Sequence, residues 1–434
     1  MFNYRNKNAT IFGFGISGKA CAKCLLDLEA IPFITEIKPT GKFAPDEIAE
    51  LDRLGIKYEF GGHSEQAVNS TDLIVVSPGI HLDIPVLLKA KSKNIPVIAE
   101  IELAYWILNK PIIAVTGTNG KTTTTTLIGE MLKAAGKKIA VAGNIGAPLI
   151  AVDDRELDYI AAETSSYQLE GIKTFRPYIS VICNIQEDHI ERHHSMEEYI
   201  VQKARIFENQ TQNDFVVYND DDPLVRQMVI SAKAQKIPFS KTNLSVLGVL
   251  PDEIKIPGRH NLENALAAAT AVSLCSVSKE VITQVLRTFP GVEHRIEFVR
   301  EINSIRFFND SKATNPASTL VALETFIGKP LILILGGREK GVEIDTLCQK
   351  VKEGVRQVIL IGEAAELFKR GLDKAGFSSY HIAGSMEEAV KLAYKISQSG
   401  DNLVLSPACA SFDMFKNYEE RGKAFKEAIY ALTR

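Results

Sequence analysis

The sequence has 434 residues, of which 45% are hydrophobic, so it can bury more than one core and should form two or three domains of roughly 100–200 residues each. Its 50 basic and 53 acidic side chains leave a formal net charge of −3, which gives no electrostatic basis for binding nucleic acid or an anionic membrane. No apolar run approaches the roughly 18 residues that span a bilayer, and no secretory signal opens the chain, so we expect a cytoplasmic globular protein without membrane insertion.

Residues 1–98 are predicted to form a small doubly wound α/β domain, with strands at 9–14, 56–60, 73–76 and 95–98. The first strand leads into GFGISGKACAKCLLDL, a GxGxxG turn that feeds a helix. This turn is typical of dinucleotide binding, with Glu36 as the ribose-reading acid, and close packing of strand against helix is the alternative. Cys21 and Cys24 form a CxxC within the predicted helix, where packing is favoured over metal or redox chemistry.

The second predicted domain, residues 99–291, is organised around PIIAVTGTNGKTTTTTLIGEMLKAAG, which predicts a strand, a glycine-bearing loop and a helix. Such a loop directs backbone N–H groups at phosphate oxygens, while Lys121 adds a cation and the Thr122 hydroxyl can reach Mg²⁺. Position 115 is Val rather than the Gly of the general phosphate-loop pattern. A tight turn that caps a helix is therefore the alternative.

Polar side chains follow further strands of this domain, which are predicted at 139–142, 158–163, 180–185 and 214–219. Glu163 ends one strand and the tripeptide EDH at 187–189 follows another, where an open α/β sheet displays ligand-binding groups. Carboxylate and imidazole groups near a triphosphate favour Mg²⁺ ligation. Zinc binding by His189, His193 and His194 is the alternative, although we expect His193 and His194 to be exposed in a turn.

Residues 292–434 predict a third domain on another parallel sheet, with strands at 305–309, 331–335, 357–361, 380–383 and 403–406. Its strand ends carry NDSKATNP, GGREKG and SPACAS, three polar loops that would face a common crevice. Before this domain, Asn261 and Asn264 stand at the start of an Ala-rich helix after PGRH. Capping of that helix and binding of a base are both open for the two residues.

The motifs TGTNGKTTTT, GNIG, ETSSYQLE, EDH, HNLENALAA, DSKATNP and LSPACASFDMFKNYEERG occur in this order. Together they resemble the Mur ligase family of peptidoglycan synthesis over essentially the whole chain, and most closely the member that adds D-glutamate. The resemblance implies an ATP-dependent amide ligase that joins D-glutamate to UDP-N-acetylmuramoyl-L-alanine through an acyl phosphate, with roles in cell wall biogenesis, cell shape and cell division. It implies three α/β domains, Rossmann-like at both ends with a phosphate loop in the middle, and a monomer that uses two Mg²⁺ ions.

The resemblance also assigns roles to individual residues. The ATP site would contain Gly117, Thr118, Asn119, Gly120, Lys121, Thr122, Thr123, Asn261, Asn264, Arg295 and Asp310. The UDP-substrate, rather than NAD, would contact Gly15, Ile16, Ser17, Glu36, Lys38, Ser77, Gly79 and Asn144. The amino acid would contact Lys312, Thr314, Lys340, Ser411 and the backbone of Tyr418. The metal ligands would be Thr122, Glu163 and His189. The catalytic residues would be Lys121, His189 and Lys203.

The sequence is notable at Lys203, at Glu36-Ile37-Lys38 and at Tyr418 when it is compared with the family. Lys203, in VQKARIFEN, matches the lysine that the family carbamylates with CO₂, whereas the sequence alone would place it on a helix surface. Glu36-Ile37-Lys38 stands where the family commonly has Asp-Thr-Arg, and Lys lacks the planar donor fork of Arg. Tyr418 replaces a Phe of relatives. A phosphate-loop phosphotransferase and a non-catalytic nucleotide sensor are the competing classes, and neither would need the three polar loops of the last domain.

Overall fold

The computed structural model describes residues 3–188, 190–339 and 343–432, and the predicted site residues His189 and Lys340 lie outside these ranges. The protein has a three-domain α/β fold built on three mainly parallel sheets. The chain forms two compact units, Met1–Leu250 with Glu263–Val285, and Pro251–Leu262 with Leu286–Arg434. None of the helices in the described ranges has the length and apolar character to cross a membrane.

The first sheet belongs to the first unit. Its strands are β1 (Asn8–Phe12), β2 (Ile31–Glu36), β3 (Lys57–Phe60), β4 (Leu73–Val76) and β5 (Val97–Ala99). They are parallel and lie in the order β3-β2-β1-β4-β5. The helices of this part are α1 (Ile16–Asp27), α2 (Pro45–Leu54), α3 (Gln66–Asn69), α4 (Pro85–Ser92) and α5 (Glu100–Ile107). Cys21 is buried in α1, which confirms the packing prediction for this residue.

The second sheet lies in the same unit. Its strands are β6 (Ile112–Thr116), β7 (Ile139–Gly143), β8 (Tyr159–Glu163), β9 (Ile179–Ile182), β10 (Phe215–Asn219) and β11 (Gln235–Phe239). All are parallel, in the order β11-β10-β9-β6-β8-β7. The helices are α6 (Lys121–Ala134), α7 (Ser166–Leu169), α8 (Ile190–His193), α9 (Met196–Ala204), α10 (Pro223–Met228), α11 (Arg259–Ser273) and α12 (Lys279–Thr288). Every residue of β6 is buried, as expected for a central parallel strand of β-branched and apolar residues.

One buried core runs from the first sheet into the second. It includes Leu25 and Ile34 from the first sheet and Phe175 from the second. Helix α5 follows β5 directly, and the buried Glu102 accepts the Thr174 N–H at Oε1, at 2.7 Å, and the Phe175 N–H at Oε2, at 2.8 Å. Because both oxygens of this carboxylate are hydrogen-bonded, a charged side chain can lie inside the core without a large desolvation penalty.

The third sheet belongs to the second unit. Its strands are β12 (Glu297–Ile302), β13 (Ile305–Asn309), β14 (Leu331–Gly336), β15 (Gln357–Ile361), β16 (Tyr380–Ile382) and β17 (Asn402–Leu405), in the order β12-β13-β17-β14-β15-β16. The helices are α13 (Pro316–Thr325), α14 (Asp345–Gly354), α15 (Ala365–Ala375), α16 (Met386–Lys395) and α17 (Tyr418–Tyr430). Only β12 is antiparallel, and its two-residue turn to β13 places Asn303 and Ser304 at positive φ, as a tight hairpin requires.

Candidate functional site

The predicted phosphate loop connects β6 to α6, with Gly120 as the residue that precedes the helix. The segment after β9 holds this loop in place. Thr118 donates its N–H to the Asn184 carbonyl at 2.9 Å, and Asn119 donates its N–H to Asn184 Oδ1 at 2.8 Å. Since β6 and β9 are neighbours where the strand order changes direction, the loop lies at the position where open α/β sheets bind ligands.

Lys121 bends back over this loop. Its Nζ donates to the carbonyls of Gly117 and Thr118 at 2.9 and 2.8 Å. The ammonium group is therefore held by backbone dipoles at the helix N-terminus, the position of a cation that contacts phosphate. Asn264 joins the same region, because the Thr124 hydroxyl donates to its Oδ1 at 3.4 Å.

The remaining residues predicted to contact adenosine and phosphate are Asn261, Arg295 and Asp310, which belong to the second unit. Helix α11 begins at Arg259, so Asn261 and Asn264 lie inside the helix and the capping alternative is wrong for both. Asn261 instead donates its side-chain amide to the Pro257 carbonyl at 2.6 Å.

Lys203 lies beside Lys121. Its side chain is buried, its Nζ donates to the Gly117 carbonyl at 2.8 Å, and it stands 4.6 Å from the centre of the Tyr199 ring. The expectation of a surface lysine from the sequence alone is thus wrong. Burial, and then the nearby charge of Lys121, lower the pKa of Lys203 well below its usual range. Both effects favour the neutral amine, which is the form that reacts with CO₂.

Glu163 ends β8 and is buried. Its Oε1 accepts the Asn144 side-chain amide at 2.8 Å, while its Oε2 is buried without a hydrogen-bond partner in the part of the chain that is described. Gly143 makes this arrangement possible, since its φ is +102° and a Cβ would stand 2.3 Å from the Glu163 carbonyl oxygen. A buried carboxylate oxygen without a donor is costly unless a cation meets it, so the site fits Mg²⁺ held by oxygen ligands.

Five of the eight predicted UDP-substrate residues lie at the carboxyl ends of β1 and β4, which are adjacent in the first sheet, whereas Glu36 and Lys38 lie at the end of β2 and Asn144 follows β7 of the second sheet. Ile16 begins α1 with 71% of its surface exposed, and the buried Ser77 hydroxyl has no partner among residues 3–188, 190–339 and 343–432. Gly15, Ser17 and Gly79 lie in the same two turns. This crevice again lies where the order of the strands reverses, between β1 and β4, where a ligand is expected.

Glu36 has a structural role in this crevice. Its side chain is buried at the end of β2, and its two carboxylate oxygens accept the backbone N–H groups of Phe14 at 2.8 Å and Lys38 at 2.9 Å. The carboxylate therefore fixes the turn after β1. Lys38 is exposed, so the structure places these two predicted nucleotide contacts in different environments.

His193 is not the exposed turn residue that we expected. It is buried in α8, and its Nε2 lies 2.9 Å from the Ser166 hydroxyl. His194, which follows the helix, is exposed as expected. His194 lies beyond the end of α8 and has a positive φ of 64°, so the chain leaves the helical path there and this histidine meets solvent.

A different group has the spacing of metal ligands within the described ranges: Glu293, His294 and Glu297. The Lys426 ammonium lies 2.6 Å from Glu293 Oε1 and 3.0 Å from Glu297 Oε1. The ammonium group of Lys426 therefore already neutralises part of the charge of these carboxylates. This group is best explained as an ion-pair cluster within the second unit.

The third sheet presents polar loops at the carboxyl ends of β13, β14 and β17. Asp310 follows β13, is buried, and accepts the Ser406 hydroxyl at 2.7 Å. Burial raises the pKa of Asp310 to about 7. Lys312 Nζ lies 5.8 Å from the Tyr418 ring, and Ser411 is buried in the loop after β17. β17 lies between β13 and β14, so their loops meet at one edge of the sheet.

The sequence analysis missed Arg421, a fully buried arginine of α17. It donates to the Ser311 hydroxyl at 3.0 Å and to the Cys409 carbonyl at 3.0 Å, so it contacts the loops after β13 and β17. The only available signal was the single arginine of the motif NYEERG, and its neighbours in the chain gave no reason to place it inside.

Comparison with known proteins covers the whole chain. Three family models match it: the Mur ligase MurD-like N-terminal domain at residues 7–99, the Mur ligase middle domain at residues 115–272, and the Mur ligase glutamate ligase domain at residues 294–409. The chain is 44% identical to UDP-N-acetylmuramoylalanine--D-glutamate ligase of Caldanaerobacter subterraneus subsp. tengcongensis, over 99% of both chains. It is 43% identical to the enzyme of the same name from Clostridioides difficile, over 98% of both chains.

The fold is also similar to a solved structure. UDP-N-acetylmuramate-alanine ligase MurC from Thermotoga maritima matches with a TM-score of 0.59 and 20% sequence identity, over 98% of this chain and 99% of that chain. At this identity the similarity concerns the fold. It confirms the three-domain α/β architecture predicted from the sequence.

Proposed function

The chain belongs to the Mur ligase family, and from this premise we propose that it joins D-glutamate to UDP-N-acetylmuramoyl-L-alanine, with conversion of ATP to ADP and phosphate. The observation that carries this proposal is the match, over nearly the full length of both chains, to relatives named for that reaction. The product would be a precursor of peptidoglycan. The same premise favours a monomeric cytoplasmic enzyme whose partners are small molecules rather than nucleic acid.

The first step has to activate a carboxylate, because a carboxylate does not react with an amine. Transfer of the γ-phosphoryl group of ATP to the L-alanyl carboxylate gives an acyl phosphate and ADP. We propose that Lys121, held above the loop by the carbonyls of Gly117 and Thr118, compensates the charge on the transferred group. The backbone N–H groups of residues 117–123 would hold the phosphates at the start of α6.

The metal site would use Thr122 and Glu163, together with His189, which lies outside the described residues. Bound Mg²⁺ would supply positive charge to the phosphate oxygens. The buried Oε2 of Glu163, which has no partner among the described residues, supports this assignment. Asn144 would orient that carboxylate through its hydrogen bond to Oε1 and contact the UDP-substrate.

Lys203 would act as a carbamate. Its neutral amine would attack the carbon of CO₂, form an N–C bond and lose a proton, which converts a buried amine into an anionic group. Its burial and its position beside Lys121 support this proposal, since both favour the neutral amine. The anion would then lie next to the Lys121 ammonium and stabilise it within the loop.

The second step forms the amide bond. The neutral amine of D-glutamate attacks the acyl phosphate carbon and forms the C–N bond, the tetrahedral intermediate expels phosphate as its C–O bond breaks, and the nitrogen releases one proton. Lys312, Thr314, Lys340, Ser411 and the Tyr418 backbone would hold the two carboxylates of the amino acid, which require cations and donor groups. In this scheme residues 1–98 bind the UDP part, 99–291 bind ATP, and 292–434 bind the amino acid.

The direct test is the rate of phosphate release by the purified protein with ATP, Mg²⁺ and UDP-N-acetylmuramoyl-L-alanine. Separate reactions should contain D-glutamate, L-glutamate, L-lysine or meso-diaminopimelate. We expect strong turnover with D-glutamate only. Equal or faster release with a diamino acid would contradict the proposed amino-acid specificity.

A further inference from the structure

The guanidinium of Arg421 is enclosed by two of the loops that carry the proposed amino-acid contacts. Its Nε donates to the Ser311 hydroxyl at 3.0 Å and its Nη2 donates to the Ser311 carbonyl at 2.8 Å. Its Nη1 donates to the carbonyls of Cys409 and Ala410 at 3.0 and 3.2 Å. One planar side chain therefore fixes the residue before Lys312 and the residue before Ser411.

Two further contacts extend this arrangement. The Ser311 hydroxyl donates to the Tyr418 carbonyl at 2.8 Å, so the first turn of α17 is tied to the loop after β13. Gly337, after β14, passes so close that a Cβ would stand 2.4 Å from the Ala410 carbonyl oxygen and 3.0 Å from Arg421 Nη1. All three loops at this edge of the sheet are thus packed around the same guanidinium.

The charge of Arg421 is not matched by an acid in contact with it. All four of its acceptors are neutral hydroxyl or carbonyl oxygens. Among the described residues, no carboxylate lies within 4.0 Å of the guanidinium nitrogens. Asp413 and Asp310 influence it from farther away, and burial lowers the pKa of Arg421 to about 10, so it stays protonated at neutral pH. A buried positive charge of this kind attracts an anion at a neighbouring site.

We propose that Arg421 is a positioning residue of the amino-acid site, which holds the loops after β13 and β17 in place and lends its positive charge to the recognition of a dicarboxylate. This inference rests on the proposed function, because it takes those loops as the D-glutamate site. Arg421 acts through the loops and contacts no substrate in this scheme.

An arginine with only a structural role would give a different result on substitution. Loss of a structural residue lowers stability and the amount of active enzyme, whereas loss of a positioning charge raises the KM for D-glutamate alone. Arg421→Lys keeps the charge and loses the planar fork, while Arg421→Gln keeps donor groups and loses the charge. Ser311→Ala removes the hydroxyl that links Arg421 to the Tyr418 carbonyl and leaves the arginine in place.

The experiment compares the KM for D-glutamate, ATP and UDP-N-acetylmuramoyl-L-alanine in these variants, with thermal unfolding as the measure of stability. Arg356 offers a control arginine in the same unit, because it precedes β15 at the opposite end of the strands, where it donates to the Ile396 carbonyl at 3.0 Å and forms an ion pair with Asp401. Arg356→Lys and Arg356→Gln should lower stability without changing the KM for D-glutamate.

We expect Arg421→Gln to raise the KM for D-glutamate by about 30-fold, in line with loss of a buried hydrogen-bonded charge, and Arg421→Lys and Ser311→Ala by about fivefold. The KM values for ATP and the UDP-substrate should change by less than about twofold. An equal rise in all three KM values, or unchanged values in a folded Arg421→Gln enzyme, would overturn the proposal. A wild-type enzyme that released no phosphate in response to D-glutamate would instead contradict the proposed function.

Discussion

The phosphate loop of the second sheet and the polar loops of the third sheet each hold a cationic side chain with backbone carbonyls, half-buried Lys121 and fully buried Arg421, but the two arrangements are assembled differently. At the phosphate loop, Lys121 contacts carbonyls three and four residues before it in the chain. At the third sheet, Arg421 contacts Ser311, which is 110 residues away. The first arrangement is encoded by a short motif, whereas the second exists only after the sheet has formed.

This difference separates two kinds of functional effect. Side chains of the phosphate loop lie where charge moves during phosphoryl transfer, so their loss should lower kcat. The cation beneath the loops of the third sheet belongs to the other compact unit, with the proposed amino-acid contacts, and should affect binding of the amino acid. Variants in and around the phosphate loop can therefore test whether side chains of this region affect kcat rather than binding of the amino acid.

The largest effect is expected for Lys121→Ala. We expect phosphate release to fall by about 10³-fold, because the variant loses the cation that compensates charge on the transferred phosphoryl group. Binding of the UDP-substrate, measured by calorimetry, should persist, since that ligand is assigned to the first sheet. Lys133→Ala, an exposed position in the same helix, is the control and should keep full activity. Loss of UDP-substrate binding in Lys121→Ala would contradict this assignment.

The next effect concerns Lys203. If the carbamate supplies a required anion, Lys203→Ala should lose about 10²-fold in activity and recover part of it in the presence of acetate. Lys203→Arg keeps a cation that cannot form a carbamate, so acetate should not rescue it. The measurement is the rate of phosphate release over a range of acetate concentrations. Full activity of Lys203→Ala without acetate would exclude the role.

A smaller effect is expected for Gly143→Ala. The new Cβ would meet the Glu163 carbonyl oxygen at 2.3 Å and displace the proposed metal ligand, which should lower kcat about tenfold and raise the Mg²⁺ concentration needed for half-maximal activity. Gly136→Ala separates this clash from backbone strain, since Gly136 also has positive φ, +77°, but nothing lies within 4 Å of its Cβ position. An unchanged Mg²⁺ requirement in Gly143→Ala would count against Glu163 as a ligand.

The smallest effect on turnover is expected at Glu100, which lies in α5 near the well-satisfied Glu102. Glu100 Oε1 accepts the Ile150 N–H at 2.7 Å, but its buried Oε2 has no hydrogen-bond partner among the described residues. Burial raises the pKa of Glu100 from 4.5 to about 7. The folded protein therefore binds this proton more tightly than the unfolded chain, and its stability falls as the pH rises through that interval.

Glu100→Gln removes this titration. The wild type should lose about 3 kcal/mol of stability through this titration between pH 4 and pH 8, so the free energy of unfolding of the variant should increase by that amount relative to the wild type. Urea unfolding at both pH values measures the difference. A constant difference between the two proteins across this range would show that Glu100 does not titrate in the folded state.

Much of the fold could be predicted from the sequence because buried parallel strands are continuous apolar runs, as β6 and β14 are. Two edge strands escaped prediction. β11 contains Pro238, which is tolerated at an edge but weakens a strand pattern, and β12 carries charged residues in EFVREI. Both strands form because the neighbouring strand has unpaired backbone N–H and C=O groups along its outer edge. The residues of β11 and β12 themselves do not reveal that such a neighbour exists.

The candidate site divides in the same way. Residues 117–123 could be predicted as a loop between strand and helix because a phosphate loop is a local sequence motif, and Glu163 could be placed at a strand end, where such sheets display ligands. The burial of Lys203, the inward position of His193 and the role of Arg421 depend on residues far away in the chain. Helical spacing alone does not show which polar side chain of a helix faces an enclosed loop.

The central claim is that the chain forms an amide bond through an acyl phosphate, and isotope transfer tests it most directly. UDP-N-acetylmuramoyl-L-alanine labelled with ¹⁸O in both oxygens of its carboxylate is incubated with ATP, Mg²⁺ and D-glutamate, and phosphate and product are examined by mass spectrometry. Because the attacking carboxylate oxygen leaves with the phosphoryl group, we predict one ¹⁸O in the released phosphate and one in the new amide. Phosphate without ¹⁸O, or labelled phosphate without an amide product, would contradict the account.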